Sequence, residues 1–89
     1  MKHQVLLVEN AENDLAALDP KIAHRILEKL EWFKGTPNPL IFAKRLTNPS
    51  SGTYRFRVGD YRIFFDINSR GKITILVILR IKHRREAYN

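Results

Sequence analysis

Residues 54 to 65 read Tyr-Arg-Phe-Arg-Val-Gly-Asp-Tyr-Arg-Ile-Phe-Phe, and this pattern constrains the chain more than any other. Tyr54, Phe56 and Val58 alternate with Arg55 and Arg57, Gly59-Asp60 interrupts, and Tyr61, Ile63 and Phe65 alternate with Arg62 and Phe64. Period-two alternation on both sides of a Gly-led dipeptide predicts strand, tight turn, strand. A two-residue loop led by Gly suits a type II′ turn, which pairs Val58 with Tyr61 and Arg57 with Arg62. Paired residues share a face. Tyr54, Phe56, Val58, Tyr61, Ile63 and Phe65 therefore form a core face, and Arg55, Arg57 and Arg62 gather around Phe64 on the other.

Like charges directly opposite each other destabilise a strand pair unless an anion answers them. Asp66 falls on the same face and is placed to neutralise part of the cluster. A solvated face accounts for any one of these Arg residues. Three guanidinium groups converging beside an exposed aromatic support an anion site equally well. A slip of one residue would scatter the cluster, so the inference depends on the turn.

The 89 residues suffice for a single domain, 1–89, with one core. There is no cysteine, hence no disulfide and no thiolate metal site, and His3, His24 and His83 are too dispersed to suggest a metal centre. No metal or cofactor is expected. The apolar run Val5 to Val8 is too short for a signal-peptide core or a membrane span, so a cytoplasmic, soluble protein is expected. Of the net charge of +7, residues 44–89 carry eleven Lys/Arg against three Asp/Glu, while residues 1–43 carry five against six. Such asymmetry implies a polyanionic partner. A membrane surface fits poorly, because the basic residues fall on strands rather than on an amphipathic helix.

Gln4 to Val8 is read as a first strand, and Glu9 to Asp14 begins a short helix with Ala11, Leu15 and Leu18 on one stripe. Asp19 caps a second helix with Pro20 at its first position. Ile22, Ile26, Leu30 and Phe33 face inward there, with Ala23 and Leu27 beside them, Gly35 stops the helix, and Trp32 is assigned to packing. Leu40, Ile41 and Phe42 are expected in the core, leaving Lys44 and Arg45 near the hairpin. Asn68 to Gly71 is a turn. Lys72 to Ile81 is apolar at both alternate sets, which predicts a strand buried on both faces. A basic run, Lys82 to Arg85, follows. Strand, two helices and three strands predict an α+β fold, a helical hairpin on one face of a small, mostly antiparallel, curved four-stranded sheet (β-α-α-β-β-β). Its open face would be a basic groove.

At Tyr54-Arg55-Phe56-Arg57-Val58-Gly59-Asp60-Tyr61-Arg62-Ile63, the loop before Gly52, and His83-Arg84-Arg85-Glu86-Ala87-Tyr88, the chain resembles the RelE/ParE superfamily of toxins from type II toxin–antitoxin systems. The resemblance spans nearly the whole chain and implies a helical hairpin on a curved antiparallel sheet. It implies two branches: RelE-like members are metal-independent endoribonucleases that cut mRNA in the ribosomal A site, and ParE-like members inhibit DNA gyrase. The match favours the nuclease branch. Its catalytic residues carry over as Arg57, Arg62, His83, Arg84 and Tyr88, and its RNA-binding residues as Lys44, Arg45, Arg55, Lys82 and Arg85. The resemblance also implies a cognate acidic antitoxin as partner, with oligomers formed mainly through it.

In that chemistry the ribose 2′-OH attacks the adjacent phosphorus and leaves a 2′,3′-cyclic phosphate, so the site must orient the hydroxyl, stabilise the phosphorane and protonate the leaving oxygen. The fork of Arg meets two phosphate oxygens and stays charged. RelE-type sites often have Lys where this chain has Arg55 and Arg57, and Arg is a poor general base. His83 is the candidate proton acceptor, and Tyr88 is either an acid or base, which would need a depressed pKa, or a group that positions or stacks on a base. Two other classes remain: a gyrase-inhibiting toxin of the ParE kind, and a non-catalytic RNA-binding domain.

Overall fold

The computed structural model describes residues 3–47, 53–70 and 73–87. The hairpin forms in the register that its alternation demands. Strand β3 (Tyr54–Val58) pairs antiparallel with β4 (Tyr61–Arg70), with Arg57 opposite Arg62 and Val58 opposite Tyr61. Gly59 has φ +59° and Asp60 has no positive φ, as a type II′ turn requires and a type I′ turn does not.

Around the hairpin the sheet is ordered β1-β5-β4-β3-β2. β5 (Ile73–His83) pairs antiparallel with β4 and parallel with β1 (His3–Leu7). β2 (Lys44–Arg45) adds two residues beside Tyr54 and Arg55. The sheet thus has five strands, not the expected four, because Lys44 and Arg45 pair instead of merely projecting. β4 also runs on to Arg70, through most of the turn expected at 68–71.

Helices α1 (Glu9–Ala16) and α2 (Pro20–Gly35) cover one face. Asp19 caps α2 by accepting from the Lys21 N–H at 2.9 Å, with Pro20 in its first turn. Ile26, Leu30 and Phe33, at helical spacing on α2, are buried. Phe33 stacks on Phe56 with centroids 3.6 Å apart, and Phe56 stacks on Phe65 at 4.3 Å. This aromatic column joins α2 to the hairpin, each pair adding roughly 0.5–1.5 kcal/mol beyond the area it buries.

Three core assignments fail, those of Ile41, Phe42 and Leu27. Ile41 and Phe42 lie in a 3₁₀ turn (Pro39–Phe42) and are 71% and 46% exposed, although Leu40 packs on the core. Leu27 is exposed on α2. β5 buries Leu76, Ile78 and Ile81, but Ile75, Val77 and Leu79 only partly, since the helices cover one face. No helix among the described residues is long and apolar enough to cross a membrane.

β1 reaches only as far as Ile78, where the Val8 N–H donates to the Ile78 carbonyl at 3.1 Å. Beyond that point Asp14 of α1 takes over the edge of β5. Its Oδ2 accepts from the Ile81 N–H at 2.9 Å and from Arg80 Nε at 2.8 Å, while Arg80 Nη2 reaches Oδ1 at 3.1 Å. Burial acts to raise the Asp14 carboxyl pKa, but the hydrogen bonds from Arg80 and Ile81 and the charges of Arg80 and Lys82 together hold it below its ordinary value. Removing the carboxylate leaves an edge N–H and a guanidinium unanswered. Asp14→Ala is expected to cost about 1–3 kcal/mol in urea unfolding at neutral pH. A depressed carboxyl stabilises above its unfolded pKa and loses that contribution as pH falls through the folded one. The gap between the two proteins should stay constant down to near the unfolded value of 3.8 and close below it.

Candidate functional site

The register across three strands assembles the cations. Arg57 of β3 lies opposite Arg62 of β4, and Arg62 lies opposite Lys82 of β5. Strand spacing of about 4.8 Å puts Arg57 and Lys82 roughly 10 Å apart at the backbone, within reach of two long side chains meeting at one phosphate. A neighbouring row runs Lys44, Arg55, Phe64, Arg80. Both rows alternate with the buried residues of the core face, so they belong to the face away from the helices.

This face is less open than the sequence suggests. Phe64 is 5% exposed and Arg62 6%, so the expected exposed aromatic is a buried one. Arg62 Nη1 donates to the carbonyls of Gly59 at 3.1 Å and Tyr61 at 3.2 Å, so the side chain is held against its own turn. Arg57, Lys44 and Arg45 are exposed, and Arg55 and Lys82 are half-buried. Arg62 thus lies as a fixed charge between Arg57 and Lys82, which reach solvent.

Nearby acids are committed elsewhere. Asp66, expected to neutralise the cluster, accepts from the Thr53 N–H and hydroxyl, both at 2.7 Å. Asp14 holds Arg80, and Asp60 lies 3.8 Å from Arg84. Among the described residues neither Arg57 nor Lys82 forms an ion pair. Among them, too, no group of three or more His, Asp or Glu converges there.

The C-terminal run divides between the two faces. Lys82 joins the Arg row, whereas His83, one residue on, pairs with Tyr61 and shares the face of Ile81 and the helices. Its ring stands edge-on to Tyr61 at 5.3 Å, in a recess lined by Asn13, Asp14 and Leu18 of the α1 side. His83 Nδ1 accepts from the Arg85 N–H at 3.2 Å, and Glu86 Oε1 accepts from the His83 N–H at 3.3 Å. This is a reciprocal capping box in which His takes the part of Ser or Thr. It opens α3 (Arg84–Ala87), a helix where the sequence predicts only a basic run. Arg84 and Arg85 are exposed on α3, and the Arg84 N–H donates to the Asp60 carbonyl at 2.7 Å, docking α3 on the hairpin turn. The geometry therefore brings together Arg55, Arg57, Arg62, Lys82 and Lys44, and turns His83 away from them. Tyr88 and residues 48–52 lie outside the described residues.

Residues 5–88 match the family model for the ParE toxin of type II toxin–antitoxin systems, parDE. The chain belongs to this toxin family. Within the wider RelE/ParE superfamily it is 32% identical, over 99% of its own length and 98% of the relative's, to Toxin RelG of Mycobacterium tuberculosis. Its fold superposes on the toxin–antitoxin complex RelBE2 of M. tuberculosis with a TM-score of 0.75 at 30% identity, covering 94% of this chain and 93% of that one. The archaeal RelE–RelB complex from Pyrococcus horikoshii gives a TM-score of 0.67 at 25% identity, covering 94% and 97%. In this toxin the capping contacts give His83 a structural task. His83→Asn, which keeps an acceptor suited to an N-cap, should hold stability within a few tenths of a kcal/mol of the parent, whereas His83→Ala loses about 0.5–2 kcal/mol in thermal unfolding.

Proposed function

We propose that this toxin is a ribosome-dependent, metal-independent mRNA endoribonuclease that cleaves in the A site and leaves a 2′,3′-cyclic phosphate. The observation that carries the reading is the row Arg57, Arg62, Lys82 across β3, β4 and β5. Arg57 and Lys82 take the non-bridging oxygens of one phosphate from its two sides, and the fixed guanidinium of Arg62 supplies charge between them. The protein thereby holds the phosphate in line for the 2′-OH and stabilises the dianionic phosphorane. An ammonium is a better proton donor than a guanidinium, so Lys82 is the member of the row suited to protonate the leaving 5′-oxygen. His83 keeps α3 docked. Arg55, Lys44 and Arg45 hold flanking phosphates, and Tyr88 stacks on a base, as the resemblance implies.

The partners follow the same charge logic. The M. tuberculosis, P. horikoshii and Methanococcus jannaschii relatives are complexes with an antitoxin, RelB in the two archaeal cases. An acidic antitoxin of that kind is proposed to neutralise the basic half of this chain in the cytoplasm. A second reading, gyrase inhibition, is favoured by the ParE family match.

Primer extension on mRNA programmed into ribosomes with an empty A site separates the two. The nuclease reading predicts cuts within the A-site codon that need ribosomes. They should fall on the order of 10²–10³-fold in rate for Arg57→Ala and for Lys82→Ala, the scale of losing one transition-state donor. Intact mRNA together with blocked DNA supercoiling would replace it with the gyrase reading.

A further inference from the structure

β2 pairs with β3 only at Tyr54 and Arg55, so among the described residues no strand pairs with the outer edge of β3 from Phe56 to the turn. In a two-residue hairpin Val58 and Tyr61 form the hydrogen-bonded pair, so the N–H and C=O of Arg57 point away from β4 toward that edge. Facing it is one stripe of α2: Arg25, Glu28, Lys29 and Trp32 recur at helical spacing. With Arg57, Val58 and Gly59 they line an open recess of about 570 Å³, a size typical of small-ligand sites, roughly 300–1,000 Å³.

The recess sets cationic side chains beside an aromatic one. Three of its side chains are cationic and one is acidic. Arg25 leans over the turn, its Nη1 3.7 Å from where a Cβ on Gly59 would stand. Trp32 is 46% exposed and is propped edge-on by Phe42 at 4.8 Å and Phe33 at 5.3 Å. The Lys29 ammonium lies 4.4 Å from the indole centroid. An indole held rigid at the surface beside cations is a stacking platform for a base. A phosphate that draws the Lys29 ammonium into the recess exposes the indole face to that base.

We propose that this recess is a second nucleotide site, binding single-stranded RNA through a phosphate on Arg25, Lys29 and Arg57 and a base on Trp32. Arg57 belongs both to the recess and to the Arg57–Arg62–Lys82 row, so the strand crosses the outer edge of β3 from one to the other. This direction of the strand rests on the nuclease reading. Binding in the recess does not, because it needs neither ribosome nor cleavage.

Trp32 is the sole tryptophan of the chain, so its fluorescence reports the recess directly. The test titrates purified toxin with a short uncleavable 2′-O-methyl RNA, following Trp32 emission and, with a fluorescein-labelled copy, anisotropy. Saturable quenching is expected. Arg25→Ala and Lys29→Ala, both at exposed helix positions, should each flatten log Kd against log salt by roughly 0.7, the change for one single-strand phosphate contact. Trp32→Ala should weaken anisotropy binding by roughly fivefold or more, with folding checked by circular dichroism and Trp32→Phe recovering most of the loss. RNA that binds without quenching, and equally well to the Arg25 and Lys29 variants, would overturn the proposal. Quenching by polyglutamate as strong as by RNA would also overturn it and assign the recess to an acidic protein segment. Ribosomal cleavage lost in Arg62→Ala, with quenching retained, separates failure at the row from failure in the recess.

Discussion

The two-residue turn Gly59–Asp60 sets the chemistry of this molecule. Its left-handed Gly59 fixes Val58 against Tyr61, and through that pair fixes the facing of every residue of β3 and β4. One consequence is the aromatic column Phe33, Phe56, Phe65, which ties the longest helix to the sheet. The other is the row of like charges that the core's own periodicity forces together on the opposite face. A sheet that buries Phe56 and Ile63 beside each other must set Arg57 beside Arg62. The juxtaposition of like charges on the outer face is thus coupled to burial on the inner one.

The C-terminal run is attached to the same turn. The Asp60 carbonyl receives the Arg84 N–H, the Gly59 carbonyl receives Arg62, and the His83–Glu86 capping box starts α3 where β5 ends. From the far side Asp14 replaces the missing length of β1, answering both Arg80 and the free N–H of Ile81. Lys82, between these anchors, is fixed in register with Arg62. The contacts that anchor the end of β5 are therefore those that place the Lys82 ammonium at one end of the row.

Much of this was legible in the sequence because it rests on local rules. Alternation and a Gly-led dipeptide give the hairpin and its register; Asp19-Pro20 and Gly35 give the bounds of α2. What escaped depends on partners distant in sequence. Nothing in Lys44-Arg45 announces a strand, since a two-residue strand exists only because Tyr54 and Arg55 offer an edge. Arg62 and Phe64 read as open because strand periodicity gives a face, not its burial, and Arg62 is drawn inward by the turn's carbonyls. Asp14 reads as part of a helix start, and its tie to a residue 66 positions away has no local signal. His83 could have been placed by parity, since Ile81 marks the core face and the next residue but one must share it. A spacing of three from His83 to Glu86 is also the spacing of a capping box.

The central claim is that Arg57 and Lys82 grip one phosphate across Arg62 while His83 stays on the helix side. Nitrogen-15 NMR of the arginine Nε–H, lysine ammonium and histidine ring signals tests it, with RNA carrying a deoxyribose at the scissile position as the ligand. The account predicts that the Arg57 and Lys82 signals shift together with one dissociation constant, while the His83 ring stays still. Shifts at His83, with Arg57 and Lys82 unmoved, would contradict it and put the phosphate on the other face of the sheet.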